Sequence, residues 1–233
     1  MTAKPKITKT DQKLIDRLVT HYGNNQAVVK TMLDQLRAAL LNSDSLMEHV
    51  HSTKFRLKEP THLEDKLKRK LTEAKENGKS LQISEENLLT KINDLAGCRI
   101  LHLHTAQIVS IDRELKKVLA ESKFRLFETP TARTWDDESE AFFKECGIKT
   151  VKSPRMYTSV HYVVESNSRT KATCEIQVRT LAEELWGEVD HKMNYPHECE
   201  IFSCREQIKV LARATSTCSR LVDSIFRTFK DGK

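Results

Sequence analysis

Apolar residues recur at helical spacing through the first fifty positions, where Leu14, Leu18, Val29, Met32, Leu33, Leu36 and Leu40 share a face. The spacing predicts amino-terminal helices from Asp11 to about Val50, with a break at Gly23 and Asn24. After Pro60 a seam of Leu63, Leu67 and Leu71 repeats every fourth residue and predicts a further helix, ending before Asn77 and Gly78. Its other faces carry Lys66, Lys68, Arg69 and Lys70. The pattern then changes: strand-like runs fall at 98–103, 123–129, 148–151, 159–164 and 172–178. A helix over 108–121 separates the first two, and another starts at Thr134-Trp135-Asp136-Asp137-Glu138, a capping residue followed by an acidic first turn. The tail is helical again. Cys204, Ile208, Leu211, Thr215, Cys218, Val222, Ile225 and Phe229 alternate steps of four and three, a seam that must be covered, by the amino-terminal helices or by a second copy of the chain.

The expected fold class is therefore α+β, a mixed β-sheet of about five strands flanked by helices, with helical amino- and carboxy-terminal extensions. The expected division is amino-terminal helices over 1–53, a core over 54–196 and a carboxy-terminal helix over 197–233. With 233 residues, 38% of them hydrophobic, the chain is long enough to bury its own core. No apolar run approaches membrane-spanning length and the first residues lack the apolar stretch of a secretory signal, so a cytoplasmic protein with no membrane partner is expected. Six cysteines without framework spacing fit reduced thiols, and His191, His197, Cys199 and Cys204 lack the paired spacing of a zinc site. The net charge of +6 is modest, but the stretch from Lys54 to Lys79 holds nine Lys or Arg against five Asp or Glu, a local excess suited to a polyanion.

Chemistry concentrates on strand faces. In EIQVRT, 175–180, Glu175, Gln177 and Arg179 oppose Ile176 and Val178; in YTSVHYVV, Tyr157, Ser159 and His161 oppose Val160 and Tyr162. In Lys91–Leu103, Asp94 and Arg99 bracket Gly97, which reads as a turn that aims the two charges apart. Phosphoryl transfer needs a divalent cation and carboxylates to hold it, and Asp94 with Glu175 is the best pair. Arg56, Lys58, Lys66, Arg69 and Arg99 supply charge to neutralise a triphosphate, and their guanidiniums can stack on a base. No Walker-type glycine loop is present, so side chains must hold the phosphates.

The ordered pieces RLKEPTHLEDKLKRK, DLAGCRI, YTSVHYVV and EIQVRTLAEELWGEVDHKMNYP resemble the synthetase domain of the RelA/SpoT family of alarmone synthetases, in its small stand-alone form. The resemblance implies a nucleotidyltransferase-like core that moves pyrophosphate from ATP to the 3′-hydroxyl of GDP or GTP with Mg2+ as cofactor. Carried over residue by residue, it implies that Arg56 and Arg99 sandwich adenine and that Lys66 and Arg69 hold the ATP phosphates. Asp94 and Glu175 then bind the metal, Glu175 alternatively taking the acceptor's proton, and His161 lies near the transferred group. Lys58, Lys152, Arg155, Tyr157 and Gln177 fall to the acceptor, with Tyr157 stacking on its base. Trp186, Asp190, His191 and Asn194 support the site. One departure stands out: the family places glycine before the stacking tyrosine and arginine after it, whereas this chain has Met156 and Thr158. A differently shaped acceptor loop is expected from that, with Lys152 and Arg155 meeting the acceptor's 5′-phosphates. Two other readings are a toxin-type member pyrophosphorylating the 3′ end of tRNA and a catalytically silent RNA-binding module.

Overall fold

The structure is a computed structural model that describes residues 5–195 and 198–232. In chain order its elements are α1 (Lys9–Leu41), α2 (Asp44–Met47), β1 (Ser52–Leu57), α3 (Pro60–Glu76), α4 (Leu88–Lys91) and β2 (Ala96–His102). A 3-10 turn (Thr105–Gln107), α5 (Ile108–Glu121), β3 (Arg125–Leu126), β4 (Thr131–Thr134), α6 (Asp137–Glu145) and β5 (Lys149–Lys152) follow. The chain closes with β6 (Ser159–Glu165), β7 (Thr173–Thr180), α7 (Leu181–Asn194) and α8 (Phe202–Asp231).

Helix α1 starts under a reciprocal cap, the Thr8 hydroxyl accepting from the Asp11 amide and the Asp11 carboxylate from the Thr8 amide. It runs unbroken through Gly23 and Asn24, where the sequence predicts a break. Burying Ile15, Leu18, Tyr22, Val29, Met32, Leu33, Leu36 and Leu40 along one stripe outweighs the ~1 kcal/mol cost of a mid-helix glycine. Helix α3 ends as expected, its cap at Asn77 and the left-handed turn at Gly78 (φ 64°) stopping the Leu63–Leu67–Leu71 seam.

The sheet has seven strands in the order β1-β2-β7-β6-β4-β5, with β3 also on β6, rather than the five expected. It is mixed: β2–β7 and β4–β5 run parallel, and the β1–β2, β6–β7, β3–β6 and β4–β6 pairs antiparallel. The strand expected over 123–129 is shortened to β3, followed by the Phe127 amide donating to the Val163 carbonyl of β6, and β4 joins β6 after Pro130. Thr134 belongs to that strand, so α6 starts later than predicted, under an Asp136 cap whose carboxylate accepts from the Glu138 amide at 3.0 Å.

One face of the sheet is apolar. Cys98, Ile100, Val160, Tyr162, Ile176 and Val178 pack with the buried stripes of α1 and α5 in one continuous core. The opposite parity carries the polar set. Register places Arg56 opposite Gly97 and Gly97 opposite Glu175, then Lys54 opposite Arg99, Arg99 opposite Gln177 and Gln177 opposite His161. Helices α7 and α8 pack together beside this face, with the Trp186 indole N–H donating to the Ile208 carbonyl at 3.1 Å.

Only the first half of the tail seam is covered, by α7, with the 3-10 turn against the end of α8; the amino-terminal helices do not form the cover. Its buried stripe is Ile208, Ala212, Thr215, Ser216 and Ser219, small side chains that let α8 approach closely, while Leu221, Ile225 and Phe229 stay exposed. Asp223 ties the end of α8 to the 3-10 turn through His104 Nδ1 (2.5 Å) and the Ala106 amide (2.9 Å). Among the described residues no helix is long and apolar enough to cross a membrane.

Candidate active site

Gly97 is not a turn. It sits inside β2 between Arg56 and Glu175, and its bare backbone lies under the Arg56 side chain, where a Cβ would stand 3.4 Å from Arg56 Nε. The turn comes just before the strand and carries Asp94. There Asp94 accepts from Lys66 Nζ at 2.7 Å and faces Lys58 Nζ at 3.0 Å. Burial alone would raise the Asp94 pKa, but the two ammoniums outweigh it and hold the carboxyl below its usual range. Lys58, expected on the acceptor side, is thus buried against Asp94, and Arg69 projects exposed from α3 beyond Lys66.

Arg99 is anchored by α7: its guanidinium donates to Glu188 at 2.5 Å and to Glu184 at 3.1 Å. Glu184 also accepts from Lys54 Nζ (2.6 Å) and Arg179 Nε (2.7 Å). Burial opposes ionisation of Glu184, yet Lys54, Arg179 and Arg99 together pull its pKa down to about 2. Glu175 accepts from His161 Nδ1 and from the Gln177 amide, both at 2.9 Å. Burial pushes its carboxyl up, His161 and Gln177 more than offset this, and the Asp94 charge acts against them. Asp94 and Glu175 are therefore two ionised carboxylates near enough to repel. With Glu175 accepting, His161 Nδ1 carries the proton, and the buried Nε2 has no hydrogen-bond partner.

The other wall is the 152–158 loop with β4 and β6. Met156 adopts a left-handed backbone (φ 51°), a conformation that favours glycine, so the loop holds a methionine where its backbone would suit a glycine. Its side chain packs near Trp186, which helps offset the strain. Thr158 is buried with its hydroxyl 3.0 Å from that of Thr134. The Tyr157 ring lies 5.7 Å from His161 and 5.6 Å from the Arg179 guanidinium. Lys152 and Arg155 are largely exposed and pair with Asp137 at 3.5 Å and Glu198 at 3.7 Å.

Between the walls lie two adjoining cavities of about 550 and 480 Å³, which share Arg56, Arg99, Gln177 and His191. The first reaches Glu175; the second reaches Tyr157, His161, Lys152 and Arg155. Trp186, Asp190 and Asn194 line the second as well. Tyr195 closes the rim, stacked on His191 at 4.7 Å and edge-on to His62 of α3 at 6.1 Å.

Among the described residues no cluster of three or more His, Cys, Asp or Glu is arranged to hold a metal; His197 lies outside them. Asp94 and Glu175 nevertheless fit magnesium, which binds through one or two carboxylates and takes its remaining oxygens from water and substrate phosphates. Sequence reasoning missed Glu184, Glu188 and Arg133, an exposed arginine on the β4 wall. The available signal was the four-residue spacing of Glu184 and Glu188 on the helix that follows Arg179.

Residues 55–200 match the family described as "Region found in RelA / SpoT proteins". GTP pyrophosphokinase YwaC of Bacillus subtilis (strain 168) is 25% identical over 185 residues, covering 75% of each chain. Small alarmone synthetase 1 of Bacillus subtilis bound to its product pppGpp has the same fold, with a TM-score of 0.58, 19% identity and coverage of 94% of this chain and 99% of that one. Its structure bound to AMPCPP superposes with a TM-score of 0.54 at the same identity and coverage.

Proposed function

The chain belongs to the RelA/SpoT family, and from that premise we propose that it is a magnesium-dependent enzyme transferring pyrophosphate from ATP to the ribose 3′-hydroxyl of GDP or GTP. The observation that carries the reading is the pair of ionised carboxylates, Asp94 and Glu175, beside two joined cavities lined by arginines and by Tyr157. The names and bound nucleotides of the similar proteins support the substrate class.

In this reading Arg56 and Arg99 take the adenine, and Lys66 with Arg69 takes the ATP phosphates. Tyr157 stacks on guanine, while Lys152 and Arg155 meet its 5′-phosphates. Asp94 and Glu175 would hold magnesium, which when bound offsets charge on the phosphates being transferred. The acceptor 3′-oxygen attacks the β-phosphorus of ATP, a new oxygen–phosphorus bond forms, and the bond to the α-phosphate oxygen breaks, releasing AMP. Glu175 takes the hydroxyl proton, oriented by the N–H bonds from His161 and Gln177. The His161 ring lines the acceptor-side cavity and holds Glu175 through its Nδ1–H.

The test is to incubate the purified protein with magnesium and ATP labelled in its terminal phosphates, offering GDP, GTP or tRNA as acceptor, and to separate the products. Label on a guanosine nucleotide is expected. Label on tRNA alone would overturn the acceptor and favour the toxin-type reading. Salt-sensitive RNA binding without ATP turnover would instead favour the silent binding module.

A further inference from the structure

We infer that Glu184 is a positioning residue that sets both nucleotide subsites at once, an inference that rests on the reading above. Its side chain is only 8% exposed, and its two oxygens face different walls. Oε1 accepts from Lys54 and Arg99, on the side assigned to ATP. Oε2 accepts from Arg179, whose guanidinium stands 5.6 Å over the Tyr157 ring, on the side assigned to the acceptor. One buried carboxylate thus fixes an arginine for each substrate.

A second observation shows how closely Arg179 is held. Gly187 occupies the middle of α7, a poor place for glycine, and a Cβ there would come 2.7 Å from Arg179 Nη1 and 3.2 Å from Cζ. Only a bare Cα leaves room for the guanidinium between Gly187, Glu184 and Tyr157. Glu188 provides the contrast: it reaches Arg99 at 2.5 Å and Lys54 at 3.9 Å, its side chain is 45% exposed, and its ion pairs are confined to the ATP side.

The geometry therefore assigns three distinct effects. Glu184→Gln turns one acceptor oxygen into a donor and cannot satisfy both sets of cations. It is expected to raise the KM for ATP and the KM for GDP, each about tenfold, the scale of one charge-assisted hydrogen bond, with kcat moving about threefold at most. Gly187→Ala displaces Arg179 and is expected to raise the KM for GDP alone; Glu188→Gln is expected to raise the KM for ATP alone.

The experiment is two-substrate steady-state kinetics on the full chain and the three variants, with melting temperatures measured alongside. If Glu184→Gln shifts only one KM, or lowers kcat while leaving both unchanged, the coupling is wrong. Should that variant fail to fold, the other two decide: a GDP effect from Gly187→Ala and an ATP effect from Glu188→Gln support the inference, and the same shift in both constants from either overturns it. A wild-type protein that forms no guanosine product overturns the functional reading first, and this inference with it.

Discussion

The two walls of the cavity are built differently. On the β1–β2–α3 wall the central charges are tied down: Asp94 lies between Lys58 and Lys66, and Arg99 between Glu184 and Glu188. On the 152–158 wall, Lys152 and Arg155 are 72% and 65% exposed, with partners at 3.5 and 3.7 Å. Exposed pairs of that kind contribute about 0 to 1 kcal/mol, whereas partly buried charges with several partners hold their geometry. The first wall is shaped in advance to receive one substrate; the second retains cations whose partners a phosphate can replace. Met156 and Thr158, the two positions at which the sequence resemblance marks a departure, fall on the adaptable wall.

The largest effect expected is from Asp94→Asn, which removes the charge that Lys58 and Lys66 surround while keeping the side chain's size. Turnover should fall about a thousandfold, as when an electrostatic element is removed from a reaction centre, and the melting temperature should fall as well, because the buried Lys58 ammonium loses its carboxylate partner. Near-normal turnover would show that the anchored wall is scaffolding.

Behind the second wall, Glu183 is buried, and burial raises its carboxyl to about 8 against the pull of Arg179, with Asp136 adding repulsion. Its ordinary value is 4.5, so between the two values the folded protein keeps a proton that the unfolded chain has released. Stability should therefore fall as pH rises from about 4.5 to about 8. Glu183→Gln should abolish that slope and gain on the order of 5 kcal/mol over the native protein above pH 8. Denaturant unfolding at pH 6 and pH 9 measures it; parallel losses in both proteins would mean Glu183 is ionised and the wall rests on a charge after all.

Tyr157→Ala should weaken acceptor use tenfold or more, since base stacking contributes about 1–3 kcal/mol, and leave the affinity for an ATP analogue unchanged. Loss of both affinities would erase the distinction between the walls. The smallest effect expected is from Met156→Gly. It relieves left-handed strain of about 1 kcal/mol and gives up packing against Trp186, so stability should stay within about 1 kcal/mol. An unchanged KM for the acceptor would show that the loop shape is set by the backbone; a shift beyond about tenfold would assign the methionine side chain a contact with substrate.

Periodicity made the helices and the central strands legible, because burial on one face leaves a repeating mark. Strand β1 escaped because its sequence, STKFRL, alternates charged and apolar residues at a sheet edge, and only pairing with β2 makes it a strand. Gly97 looked like a turn because glycine permits one; the register with Arg56 and Glu175 shows it within a strand. Asp94 and Glu175 could be selected by their chemistry. Glu184 was marked only by its four-residue spacing from Glu188, a weak signal, since an acidic first turn is ordinary at a helix start and its role depends on Lys54 and Arg99 arriving from other strands.

The proposed reaction is tested most directly by phosphorus NMR of the native protein with magnesium, ATP and GTP. AMP is expected to appear in step with a 3′-diphosphate on guanosine, one for one. ADP with orthophosphate, or no turnover of either nucleotide, would contradict it.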